Sequence, residues 1–111
     1  MNLAEQQEGD VMVLQPIGAI MGSDSERLSS RLEELLRDSP GQFVVDMAKV
    51  TLLDSGALEV FVEVTEKLIR SGKALILIGA NDTVREVLEL TEIASMFEQY
   101  DNIGAAVGSL A

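Results

Sequence analysis

Cysteine and histidine are both missing from this 111-residue chain. Their absence excludes disulfide frameworks, thiol nucleophiles, Ser-His-Asp relays and ordinary zinc sites. Hydroxyls, carboxylates, amines and the backbone are the chemistry that remains. Most enzyme classes thereby lose their usual groups, and neither a metal site nor a cofactor is expected. Positive charge is scarce as well: 8 Lys+Arg stand against 19 Asp+Glu, a formal net charge of −11. Such a surface repels nucleic-acid backbones and anionic headgroups, so neither is expected as a partner. An acidic balance is also a common solubility device. Long hydrophobic runs are lacking too. The longest, Ala74-Leu75-Ile76-Leu77-Ile78, is strand-sized, against the roughly 20 residues of a membrane span. The first residues carry Glu5 and Glu8 and show no basic stretch followed by an apolar one, so no signal peptide is expected. There is no internal repeat, low-complexity tract or linker. The expectation is one cytoplasmic, monomeric domain over residues 1–111, not inserted in a membrane.

What is present is an alternation of apolar and helical patterns. Val11-Met12-Val13-Leu14 with Ile17 follows a Gly9-Asp10 turn, with Asn2 to Gln7 as the other arm of a hairpin. Ser23 and Glu26 have capping-box spacing and open a helix with Leu28, Leu32, Leu35 and Leu36 on one face, stopped by Ser39-Pro40-Gly41. The strand Phe43–Met47 follows. A second helix starts near Ser55 and ends at Ser71-Gly72, with Leu58, Phe61, Val62, Thr65, Leu68 and Ile69 as its core stripe. Then come the strand Ala74–Ile78 and a third helix capped by Asn81 or Asp82, with Val84, Val87 and Leu88 inward. Glu98-Gln99-Tyr100 reads as a last short strand, with Ile103, Val107 and Leu110 at helical spacing behind it. The whole is an α/β domain.

In such domains, the loops after the strands' carboxyl ends bind ligands and partners. Gly18-Ala19-Ile20-Met21-Gly22-Ser23-Asp24 has glycines, but neither P-loop nor dinucleotide spacing, and reads as a flexible strand-to-helix turn. In Asp54-Ser55-Gly56, Asp54 suits the N-cap and Ser55 the first helical turn. Capping alone accounts for both residues. Alternatively Ser55 accepts a phosphoryl group, whose −1.5 to −2 charges (roughly) a helix N-terminus tolerates. A receiver-type aspartate site is excluded: the first loop offers only Asp24, and Lys73 precedes its strand. On the second helix, Val60 and Val64 lie on the side of Ala57. They either fill space against the first helix or form a small exposed apolar strip running back to Ser55.

The run Val50-Thr51-Leu52-Leu53-Asp54-Ser55-Gly56-Ala57-Leu58 resembles the signature of STAS domains, the fold of bacterial anti-sigma-factor antagonists. The similarity extends to the Glu8–Leu14 hairpin, Gly18, Gly72-Lys73-Ala74-Leu75, and Leu90-Thr91 through Met96-Phe97. The resemblance implies a four- to five-stranded mixed β-sheet with about four α-helices mainly on one side. It also implies a binding module and not an enzyme. In the antagonists, an anti-sigma serine kinase of the sigma-regulatory type phosphorylates a hydroxyl in this loop; the unphosphorylated form sequesters that kinase and frees a sigma factor. Carried onto this chain, the phosphorylation candidate is Ser55. The partner-binding residues would be Asp54, Ser55, Gly56 and Ala57, with Met21, Ser23 and Asp24 from the preceding loop and Val60 and Val64 along the helix. The alternative is a non-phosphorylated STAS subunit of a lipid-transport ABC system, bound to its ATPase.

Overall fold

The computed structural model describes residues 1–39 and 41–110. Strand β1 (Asn2–Glu8) turns at Gly9-Asp10 into the ten-residue β2 (Val11–Ile20), paired antiparallel from Asn2↔Ile17 to Glu8↔Val11. Gly9 has φ +61 at the first central position of this two-residue turn, where a residue with a Cβ would be strained. Helix α1 (Asp24–Asp38) is followed by β3 (Phe43–Asp46), β4 (Val50–Leu53) and helix α2 (Ser55–Ile69). Then come β5 (Ile76–Ile78), helix α3 (Asp82–Leu90), a 3₁₀ turn (Ala94–Met96), β6 (Glu98–Tyr100) and helix α4 (Ile103–Leu110). Pro40, part of the predicted stop of α1, lies outside the described residues.

The sheet runs β1-β2-β3-β5-β6, with β4 attached to the far end of β2. Among the described residues, only the β1–β2 pair is antiparallel. β2 is long enough to serve two neighbours: Met12–Leu14 pair with β3, and Gly18–Ile20 pair with β4. The register breaks between Gly18 and Ala19, where Gly18 has φ +94. This bulge bends β2 and lets β4 lie beside it after the turn at Met47–Lys49. β4 is additional to the strands expected from sequence. Gly18, Ala19 and Ile20, read there as part of a flexible turn, belong to β2, and Ile20 is fully buried.

Helices α1, α2 and α3 cover one face of the sheet. Leu28, Leu32, Leu35, Phe61, Val64, Leu68, Val84 and Leu88 meet Leu14, Val45, Met47, Leu75 and Leu77 there. α4 covers part of the other face, where Ala106 sits against Val11, Val13, Val44, Ile76 and Ile78. Thr65 is the one fully buried polar side chain among the described residues. Its hydroxyl donates to the Met96 carbonyl (2.7 Å) and accepts from the Leu75 N–H (3.0 Å), fastening α2 to the start of β5. On the outer flank of α1, both Glu5 oxygens accept from Arg31 at 2.6 and 2.7 Å, and that guanidinium holds Glu5 below its ordinary value.

Two helix ends are as their sequences predict. Gly72 (φ +76) closes α2 in a Schellman arrangement, with Gly72 N–H on the Ile69 carbonyl and Lys73 N–H on that of Leu68. Asn81 caps α3 by accepting from Val84 N–H at 2.9 Å. The capping box at Ser23 does not form. Ser23 already has helical angles (φ −68, ψ −11), whereas a capping hydroxyl reaches forward only from an extended residue. The entry to α1 is instead wound tightly, with Asp24 N–H on the Met21 carbonyl and Glu26 N–H on that of Ser23.

The core stripe of α2 is also rotated from the expected one. Ala57, Val60 and Val64 are buried (0, 8 and 1% exposed) beside Phe61, Thr65 and Leu68, while Leu58 and Val62 are half-buried and Ile69 is 51% exposed. α1 packs along the Ala57–Val60–Val64 side, where Lys67 pairs with Glu33.

Candidate partner-binding site

Asp54 organises the site. Its extended backbone (φ −88, ψ 177) places it as N-cap of α2, where Oδ1 accepts from Ala57 N–H at 2.9 Å. Oδ2 accepts from Gly22 N–H at 2.8 Å, so one carboxylate joins the start of α2 to the loop between β2 and α1. The N–H groups of Ala57 and then Gly22 hold this carboxyl below its ordinary value, against an opposing effect of burial, with the Gly56 N–H adding least. Asp54 is therefore a structural anion whose charge is already matched to the helix N-terminus.

Ser55, the first residue of α2, is exposed beside this clamp. Gly56 lies under α1: a Cβ there would sit 3.4 Å from Ser25 Oγ and 3.4 Å from Asp54 Oδ1, which is ordinary contact. Space does not demand glycine at that position. The opposite lip is Met21-Gly22-Ser23. Met21 is 47% exposed, Gly22 takes φ +57, and Ser25 Oγ donates to the Gly22 carbonyl at 3.0 Å. Asp24 turns back on the same loop, accepting from Met21 N–H at 3.2 Å, with the N-terminal amine at 3.6 Å and Arg27 at 3.9 Å.

The structure thus gathers Asp54, Ser55 and Gly56 with Met21, Ser23 and Asp24 at one end of the sheet. It does not bring Ala57, Val60 or Val64 to that surface. Ala57 contributes only its N–H, and the two valines pack inward beside α1: of the two readings of Val60 and Val64, they fill space against the first helix and form no exposed strip. Two features of the site were missed in the sequence. Gly22 is a backbone donor to Asp54, for which its glycine identity was the available signal. Leu52 is 45% exposed on β4, immediately before the buried Leu53; nothing in its sequence marks that exposure.

The STAS domain family profile matches residues 2–106, nearly the whole chain. The chain therefore belongs to the STAS domain family. No curated protein matches it in sequence. Among solved structures, it is similar to a candidate anti-sigma factor antagonist from Thermotoga maritima (23% identity, 97% of this chain on 93% of that one, TM-score 0.86). It is likewise similar to the unphosphorylated anti-sigma factor antagonist SpoIIAA (12%, 98% on 96%, 0.79), also solved in its phosphorylated form from Bacillus. A third likeness is to one segment of the murine Solute Carrier 26 family member A9 anion transporter (13%, 95% on 18%, 0.74). At these identities the likeness is one of fold: a mixed sheet with helices mainly on one face, shared with anti-sigma factor antagonists.

Proposed function

We propose that this chain is a regulatory binding protein of the anti-sigma-antagonist type, which engages an anti-sigma serine kinase in the cytoplasm and is controlled at Ser55. The observation that carries the reading is the placement of Ser55: exposed, on the first turn of α2, beside a loop that Asp54 holds in place through Gly22. A hydroxyl there is open to a kinase, and the surrounding surface is fixed before any partner arrives, which lowers the ordering cost of binding. Phosphate at Ser55 adds about −1.5 to −2 charges next to Asp54, with Asp24 in the facing loop. The helix N-terminus accommodates such a charge internally, whereas a partner packed closely against it does not. Binding then changes with little change of fold. The reading is non-catalytic: Asp54 has both oxygens engaged by backbone N–H groups and is poorly placed as a base.

The test is a quantitative pull-down from the native cells with wild-type and Ser55→Asp baits, paired with phosphate incorporation into wild type and Ser55→Ala. Capture of a kinase by wild type alone, with incorporation lost in Ser55→Ala, supports the reading. Incorporation that persists in Ser55→Ala removes Ser55 from its role. A second reading is a STAS subunit of a lipid-transport ABC system; what supports it is only that a segment of this fold also occurs within a membrane transporter, there an anion transporter. Equal capture of a transporter ATPase by wild type and Ser55→Asp would decide for it.

A further inference from the structure

The rotation of α2 leaves an apolar edge open on the side away from α1. Leu58 and Val62 of α2 and Ile93 beyond α3 line a shallow groove of about 250 Å³, together with Thr91. Glu59, Glu63 and Glu66, on the same helix, complete its lining. Positions 59, 63 and 66 repeat at helical spacing and so stand on one face of α2 over about 10 Å. No ion pair engages any of the three among the described residues. Among those residues, Glu5, Glu33, Glu34, Asp24, Asp38 and Asp82 each lie against a cation, whereas these three, like Glu26, Glu86 and Glu89 elsewhere, do not. What sets the three apart is that they stand in one row beside an apolar groove. Glu92, between the lining residues Thr91 and Ile93, adds a further exposed carboxylate.

From this we infer that the groove is a second docking surface, which takes a cationic amphipathic helix of a partner protein. Its apolar side chains would enter over Leu58, Val62 and Ile93, and its Lys or Arg residues would meet Glu59, Glu63 and Glu66. Charge decides among occupants. A second copy of this chain, at a formal −11, is repelled by the same row, and so are an anionic lipid surface and a nucleic acid. A small apolar ligand is disfavoured, because the groove is open and falls below the roughly 300–1,000 Å³ of enclosed ligand sites. A partner helix laid along α2 needs no enclosure, and two of its turns, about 11 Å, match the row of three carboxylates. Like charges at i and i+4 on an exposed helix cost it stability, and a partner's cations would recover that loss. The inference holds whether or not Ser55 is phosphorylated.

The probe is a fluorescein-labelled Lys/Leu peptide of about five helical turns, with leucines on one face, at about 0.15 M salt. A scrambled peptide of equal composition controls for bulk charge. Anisotropy gives affinity, and ¹⁵N chemical shifts of the protein give the site. The expected shifts centre on Leu58–Glu66 and Thr91–Ile93. Glu59→Gln/Glu63→Gln/Glu66→Gln should weaken binding about tenfold, the combined size of three exposed ion pairs. Glu26→Gln/Glu86→Gln/Asp101→Asn removes the same charge elsewhere and should change it less than about threefold. Equal weakening by both triple variants, equal affinity for the scrambled peptide, shifts centred elsewhere, or no binding would each overturn the inference.

Discussion

Thr65→Val is the sharpest probe of how the site is held, because it changes shape little and removes both interactions of one buried hydroxyl. The side chain is fully buried, and its Oγ1 bridges the Met96 carbonyl at 2.7 Å and the Leu75 N–H at 3.0 Å. Valine supplies neither. The Leu75 N–H, buried at the entry to β5, loses its acceptor, which costs about 1–3 kcal/mol. Met96 is half-buried, which leaves water within reach of its carbonyl, so that loss is about 0.5–1 kcal/mol. The extra methyl returns at most about 0.8 kcal/mol. The net expectation is a loss of about 1–3 kcal/mol, centred on about 2, or a fall in Tm of about 10 °C for a domain of this length. Thr65→Ser keeps both hydrogen bonds and loses one buried methyl, so it should cost only about 1 kcal/mol. Urea unfolding of the three proteins, at matched slope, measures both differences. The ranking is the test. If Thr65→Val is as stable as wild type, or more stable than Thr65→Ser, the hydroxyl is not the fastening between α2 and β5.

Val64→Ala, in the side of α2 packed by α1, should cost about 2–3 kcal/mol in urea unfolding, while partner affinity measured well below the transition stays unchanged; a selective loss of affinity would return Val64 to the binding surface. Glu92 has φ +61, a conformation that strains any side chain, so Glu92→Gly should raise stability by about 1 kcal/mol whereas Glu92→Ala should not. Equal gains from the two would assign the effect to charge. Asp54 has a folded pKa below its unfolded value of 3.8, so its contribution is fully present above that value and is lost as pH falls through the folded one. Asp54→Asn should therefore lose less stability than wild type as pH falls from 3.8 through the folded value. Parallel profiles would show that the N–H groups of Ala57 and Gly22 do not favour the charged form.

Local chemistry that acts within a few residues was legible in the sequence. Gly72 closes α2 because only a left-handed residue completes that hydrogen-bond pattern, and Asn81 caps α3 through its own side chain. The hairpin at Gly9-Asp10 and the terminal strand Glu98–Tyr100 lie where their patterns put them. β4 was not legible. Its four residues, with Thr51 and Leu52 exposed between buried Val50 and Leu53, carry no alternation, and its partner is the distant end of β2. The failed capping box at Ser23 has a similar origin. The spacing to Glu26 is right, but the loop is drawn toward Asp54 by the Gly22 N–H, a contact 32 residues away in sequence. At the candidate site, then, Asp54 and Ser55 could be placed from their neighbours in the chain, whereas the loop opposite them could not.

The rotation of α2 shows the same limit in the form that matters most for binding. Ala57, Leu58, Val60, Phe61, Val62, Val64, Leu68 and Ile69 wrap more than half of the helix in apolar side chains. Such a wide face fixes its centre near Phe61 and Leu68 but not which flank is covered. That choice belongs to α1, which packs beside Val60 and Val64 and leaves Leu58, Val62 and Ile69 toward solvent. A signal was nonetheless present in the charges. Lys67, on the covered flank, has its counter-charge in Glu33 of α1, whereas Glu59, Glu63 and Glu66 follow the other flank with none among the described residues. Along α2, the one ion pair to a neighbouring helix among those residues thus lies on the covered flank, and the row of carboxylates follows the flank on which Leu58 and Val62 line the groove.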